Sequence, residues 1–204
     1  MEELNLAGEP TVPRPAASVI LLRRGGEHSS ADMEVLLGRR TDAARFMAGV
    51  WVFPGGAVDG GDISEQAVRR TALRELEEEV GVRLDDPSAL VPFSRWITPV
   101  EVKVRFDTWF FLARAPAHCR PEPDGEEIVD SGWFAPDDAL QQSRDGKLLL
   151  VFPTIKQLED LAHFTTAEEA LEGSAARAVR PILPKVVAGD NGPQVLLPGE
   201  PGYP

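Results

Sequence analysis

The chain has 204 residues, 43% of them hydrophobic and 26% charged, values close to globular averages and enough for one sizeable core. Lys plus Arg at 21 against Asp plus Glu at 33 leaves a net charge of −12, a field that argues against a nucleic acid polymer as partner and obliges any small phosphorylated ligand to meet metal ions or local arginines. No apolar run approaches the roughly 18 to 20 residues that span a bilayer, the acidic, proline-bearing start is unlike a secretory leader, and the single cysteine, Cys119, can form neither an intrachain disulfide nor a cysteine metal cage. A cytoplasmic protein without membrane contact is therefore expected.

Residues 1–15 read as an extended N-terminal tail, residues 16–187 as the folded domain and residues 188–204, rich in Pro and Gly, as a second extended tail. Within the domain, Ala16 to Leu22 and Glu34 to Leu37 are short apolar runs separated by a polar, Gly-containing segment, the pattern of two paired strands. Val50 to Phe53 is a third candidate strand, stopped by Pro54-Gly55-Gly56. Helical patterning covers Ser64 to Val80, although Arg69 would interrupt its apolar stripe, so an unbroken helix is expected only from about Thr71. Arg95 to Thr98, Phe106 to Ala113 and Ile128 to Phe134 follow as strands, the second of them central to the sheet. Helices are expected from Pro136 to Ser143, from Thr154 to Phe164 and from Thr166 to Glu172, the last opened by a Thr166/Glu169 capping box. Strands and helices alternate without a strict βαβ rhythm, which favours a mixed sheet covered by helices.

The informative segment runs from Gly55-Gly56 through Asp62 to Arg74-Glu75-Leu76-Glu77-Glu78-Glu79-Val80-Gly81-Val82. At about 100° per residue, with Glu75 at zero, Glu79 falls near 40° and Glu78 near 300°, while Glu77 falls near 200°. Glu75, Glu78 and Glu79 thus share one helical face beside a stripe of Ala72, Leu73, Leu76 and Val80. Like charges at these spacings repel, and hard divalent cations bound by the carboxylates would offset the repulsion. Arg74 reaches Glu78 at the four-residue spacing and can hold its carboxylate in place. A solvated acidic face is the commoner meaning of such a run; the two glycines directly after a strand and Gly81 closing the helix make this pattern far more specific.

This segment resembles the signature of the Nudix hydrolase superfamily: Gly, five residues, Glu, seven residues, Arg-Glu, an aliphatic, any residue, Glu-Glu, any residue, Gly, an aliphatic. Arg74 to Val82 satisfies the second half at every fixed position. In the first half Asp62 stands in place of Glu, and eleven residues rather than seven separate it from Arg74, about one extra helical turn. The resemblance implies an α/β fold, an α/β/α sandwich with a mixed sheet, to which this chain would add C-terminal helices over 136–184 that shape a pocket, a dimer interface or both. It also implies a diphosphohydrolase using Mg²⁺ or Mn²⁺, with Glu75, Glu78 and Glu79 as metal ligands, one of them a candidate base, and the carbonyl of Gly55 or Gly56 as a further ligand. Glu126 and Glu127 are candidates for an additional ligand or base.

Upstream, Leu36 to Gly56 aligns without a gap with a stretch that marks the coenzyme A diphosphatase branch of the superfamily, sharing Leu36, Leu37, Arg40, Arg45, Gly49 and Phe53 to Gly56, but with Met47 for His, Val50 for Gln and Ala44 for Leu. That resemblance implies coenzyme A or an acyl derivative as substrate, with ADP-ribose, NADH or a dinucleotide polyphosphate as the alternatives, or a domain that binds nucleotides without cleaving them. Arg39, Arg40 and Arg45 are the cations available to receive substrate phosphates. Trp51, Phe46 and Trp96 could stack a base, though aromatics near strands are more often core. His28, His118 and His163 lack metal-ligand spacing.

Overall fold

The first strand organises the molecule. In β1 (Arg14–Arg23) side chains alternate between two separate apolar clusters: Ala17, Val19 and Leu21 join one, while Ile20 and Leu22 join the other. The computed structural model describes residues 9, 11–26, 31–44, 47–189 and 192–203. Their strands are β2 (Glu34–Arg40), β3 (Trp51–Val52), β4 (Gly55–Ala57), β5 (Val91–Ile97), β6 (Phe106–Arg114), β7 (Ile128–Phe134), β8 (Pro181–Ile182), β9 (Lys185–Gly189) and β10 (Gly192–Leu196), and their helices α1 (Glu65–Val80), α2 (Pro136–Arg144), α3 (Phe152–Leu161) and α4 (Ala167–Ala175).

The main sheet is mixed. Its path is β3-β2-β1-β6-β5-β8, with β4 added to β1 and β7 to β2; β1 runs parallel to β6 and β5 parallel to β8, the other pairings being antiparallel. One face carries α1 through Val68, Ala72, Leu76 and Val80, and the other carries α2, α3 and α4 through Ala139, Leu140, Leu158, Leu161, Ala167 and Ala170. This is an α/β/α sandwich in which the helices after Pro136 supply the second covering layer.

Several expectations are revised. Helix α1 is unbroken from Glu65, its N-terminus capped by the Ser64 hydroxyl accepting from Ala67 N–H. Arg69 does lie on the sheet side, but its guanidinium donates to the carbonyls of Pro87 (3.0 Å) and Leu90 (2.5 Å) and lies over the Phe111 ring. A charge in the apolar stripe is tolerated because a loop presents acceptors to it. The Gly55-Gly56 pair, expected to end a strand, itself forms β4 against Ala16 to Ser18 of β1. The C-terminal segment is a β9–β10 hairpin rather than an extended tail. Tyr203 Oη donates to Leu183 O at 2.8 Å and Leu197 packs on the core. The Thr166/Glu169 capping box is formed as expected. Trp96 is 5% exposed and packs edge-on against Phe152, so it belongs to the core.

No helix among the described residues is long and apolar enough to cross a membrane.

Candidate active site

Strand β4 fits between β1 and α1 because two glycines let it approach each of them. A Cβ on Gly56 would sit 2.4 Å from the Glu75 carboxylate, and one on Gly55 would sit 2.2 Å from Ser18 Oγ and 2.3 Å from the Ala17 carbonyl. Antiparallel pairing explains their different orientations. Val19 N–H donates to Pro54 O and Val58 N–H to Pro15 O, so Gly56, opposite Ala17, falls at a hydrogen-bonded position of the ladder. Gly55, opposite Ser18, turns its N–H and C=O to the open edge. There the Gly55 N–H donates to Glu79 Oε2 at 2.8 Å.

The three carboxylates of the α1 face occupy different environments. Glu79 is 4% exposed, and burial pushes its carboxyl up to about 8, reinforced by Glu75 and Glu127 and opposed by the Gly55 N–H and Arg40. Glu75 is likewise raised by burial, with Arg74 opposing. Glu78 is exposed, and its Oε2 pairs with Arg74 Nη1 at 2.6 Å. Arg74 also holds Glu75 at 2.7 Å and Asp59 at 3.4 Å, bridging the first turn after β4 to the middle of the helix. Glu77 points away from this group, exposed.

Glu127 reaches the same place from another element. The segment after Cys119 is hung on the end of α1: Glu122 N–H donates to Val80 O and Asp124 N–H to Glu79 O, satisfying carbonyls that a helix end leaves free. The Asp124 carboxylate then accepts from the N–H groups of Glu126, Glu127 and Ile128. This turn brings Glu127 near enough to Glu75 and Glu79 to raise both. Glu126 is exposed on the same turn. Asp124 is the positioning residue the sequence reading missed; the Pro-Asp-Gly turn signal at Pro123 to Gly125 marks it.

The arginines separate by strand alternation. Leu36 lies in the α1 cluster, Val35 and Leu37 in the opposite one, so Arg40 faces α1 and Arg39 does not. Arg39 is ion-paired to Asp42 at 2.6 Å. Arg40 lowers the Glu79 carboxyl electrostatically, and its Nε is buried without a hydrogen-bond partner. Arg45 and Phe46 lie outside the described residues, as does His28. Trp51 packs edge-on to Phe134 at 5.3 Å.

Among the described residues no three acidic, His or Cys side chains are gathered closely enough to enclose a metal ion, since Arg74 draws Glu78 outward while Gly55 N–H holds Glu79 inward. The donor chemistry nevertheless suits a hard divalent cation: carboxylate oxygens from α1 and the 122–128 turn, the open-edge carbonyl of Gly55, and the space left by the missing Gly56 side chain. Gly56→Ala is expected to leave the fold intact, because the atoms met are the end of the flexible Glu75 side chain, while displacing that carboxylate. Turnover should fall at least tenfold, by about 1.4 kcal/mol in barrier, at unchanged melting temperature; an equal loss of stability would mean that β4 itself had moved.

A family model for the NUDIX domain matches residues 12–152. The chain belongs to the Nudix family. Nudix hydrolases act on diphosphate bonds and generally use divalent metal ions. The chain is similar to the acyl-coenzyme A diphosphatase of Xenopus laevis, 23% identical over 278 aligned positions covering 87% of this chain and 73% of that one. It is also similar to the acyl-coenzyme A diphosphatase of Gallus gallus, 30% identical over 132 residues, 60% of this chain and 34% of that protein. The chain thus spans only about a third of the bird relative. Among solved structures, a NUDIX hydrolase from Alicyclobacillus acidocaldarius superposes with a TM-score of 0.69 at 28% identity, covering 79% of this chain and 96% of that one.

Proposed function

We propose that this Nudix protein is a divalent-cation-dependent diphosphatase of nucleoside diphosphate derivatives, with coenzyme A or acyl-coenzyme A as preferred substrate. The observation that carries the hydrolase reading is the Gly55 N–H bond to buried Glu79, with the Glu75 carboxylate against the missing Gly56 side chain. In this reading Glu75, Glu78 and Glu79, the Gly55 carbonyl and Glu127 hold Mg²⁺ or Mn²⁺, and Gly56 contributes space rather than a ligand. The bound cation supplies charge neutralisation at the phosphates and lowers the pKa of a water.

The protein's own groups do the rest. Arg74 orients Glu75 and Glu78 through its two ion pairs. Arg40, whose buried Nε has no hydrogen-bond partner and whose charge acts on Glu79, receives a phosphate oxygen through its guanidinium. A carboxylate of the cluster takes the proton of the attacking water; the new P–O bond forms as the bridging P–O bond breaks, and the charge leaves on the departing phosphate. From coenzyme A the products are adenosine 3′,5′-bisphosphate and a phosphopantetheine.

The gapless upstream stretch and the two relatives named acyl-coenzyme A diphosphatases support the substrate. Phosphate-ester product formation from coenzyme A, its 3′-dephospho form, ADP-ribose, NADH and a dinucleotide polyphosphate, with and without Mg²⁺ or Mn²⁺, tests both levels. The expected order places coenzyme A first, and Arg40→Ala should cost about 1 to 3 kcal/mol in kcat/KM. Equal rates with and without the 3′-phosphate would overturn the substrate while leaving the hydrolase; no turnover of any of them would overturn the hydrolase.

A further inference from the structure

A cavity of about 510 Å³ lies at the β5 edge of the main sheet, between the start of α1 and the chain that follows α4, and none of Gly55, Gly56, Glu75, Glu79 or Arg40 lines it. Its walls come from the start of α1 (Ile63, Glu65), from β5 and β6 (Arg95, Asp107, Trp109) and from Arg177 beyond α4. Ile63 and Glu65 lie among the eleven residues between Asp62 and Arg74 where the signature has seven, and α1 continues unbroken back to Glu65. The added turn therefore builds one wall of the cavity.

The lining has a definite chemistry. Arg95 forks onto Asp107, with Nε to Oδ1 at 2.7 Å and Nη2 to Oδ2 at 2.6 Å, and its guanidinium sits 5.2 Å from the Trp109 ring centre. Trp109 in turn stacks on Phe111 at 6.2 Å and 15°. The fork is a flat, charge-balanced surface, and its guanidinium can carry another planar group. The Glu65 carboxylate is engaged by Arg69 at 2.8 Å. Arg177 differs: it is exposed, lies over the Phe93 and Phe164 rings, and donates only a long 3.4 Å bond to Ser174 Oγ, with Asp160 acting on it at a distance. It is the lining cation with most capacity left for an anion.

We infer that this cavity is a second ligand site, separate from the catalytic carboxylates, for a planar aromatic ring carrying an anionic group, the class of a nucleoside monophosphate. The ring lies against the Arg95–Asp107 fork, the anion meets Arg177, and Ile63, 79% exposed, closes apolar surface over the ring. The volume is within the range of small-ligand pockets. Binding here needs no metal ion, so it is separable from turnover.

Calorimetric titration of the 204-residue chain with adenosine monophosphate in a chelator tests the inference, with adenosine and inorganic phosphate as parallel titrants. Binding of one adenosine monophosphate is expected, with adenosine at least about tenfold weaker and inorganic phosphate silent. Arg177→Ala, which removes an exposed cation, and Ile63→Trp, which fills the mouth, should each weaken it by about tenfold or more with unchanged circular dichroism. Absence of binding, binding as tight as wild type in both variants, or inorganic phosphate binding as tightly as the nucleotide would overturn it. So would loss in Arg40→Ala with Arg177→Ala unaffected, because the nucleotide would then sit at the carboxylates.

Discussion

Replacing Glu79 with Gln is expected to lower kcat by about 10²- to 10⁴-fold, the range for removing one charged participant in proton transfer or metal-assisted hydrolysis, while the protein stays folded. The amide conserves volume and can still accept from Gly55 N–H, so the loss isolates charge from packing. Glu75→Gln should behave similarly, since its carboxylate, though less deeply buried, is also raised by burial and by Glu127. Glu77→Gln should leave kcat within about twofold, a barrier change under about 0.5 kcal/mol, because Glu77 lies exposed on the far side of α1. Product release measured under saturating Mg²⁺ checks all three, and a Glu77→Gln defect as large as that of Glu79→Gln would sink the assignment of the face.

The second large effect is on stability. Glu79 has a folded-state carboxyl near 8 against an ordinary value of 4.5, so between those values the unfolded chain has released a proton that the folded chain retains. Stability must then fall as pH rises through that window and level off above it. In a chelator the wild-type protein should lose on the order of a few kcal/mol between pH 5 and pH 8 relative to Glu79→Gln; the raised Glu75 carboxyl is common to both proteins and drops out of that difference. Denaturant titrations of both proteins at the two pH values measure it. A stability difference independent of pH would show that Glu79 ionises freely in the folded state. Excess divalent cation that binds only the folded chain should restore wild-type stability at pH 8 by mass action.

Much of this was legible in the residues because local chemistry and tertiary packing agree. The Thr166/Glu169 box, the apolar run of β1 and the strand pattern of β6 follow from short-range rules that the core leaves undisturbed. Where they disagreed, tertiary partners decided. The first turn of α1 is helical because Pro87 and Leu90 carbonyls receive Arg69, and no periodicity within the helix encodes a loop 18 residues away. Strand β4 has no strand-forming side chain in Gly55 or Gly56; it pairs with β1 because Gly55 leaves room for Ala17 and Ser18, while Gly56 leaves room for Glu75 of α1. The candidate site shows the same division. Spacing placed Glu75, Glu78 and Glu79 on one side of a helix, but how deeply each sinks depends on β4, Arg74 and the 122–128 turn. Arg39 and Arg40 look alike in sequence; strand parity sends one to Asp42 and the other toward Glu79.

The alternation of β1 has a mechanical meaning for the whole molecule. Ala17, Val19 and Leu21 anchor one helical layer while Ile20 and Leu22 anchor the other, and the same strand is clasped by β6 along nine consecutive residues from Arg14 to Leu22. Neither layer can peel away while keeping its own half of the interior, because both halves are stitched to a single backbone. The two layers should therefore melt as one unit, and the amide protons of β1 and β6 should be the last to exchange with solvent.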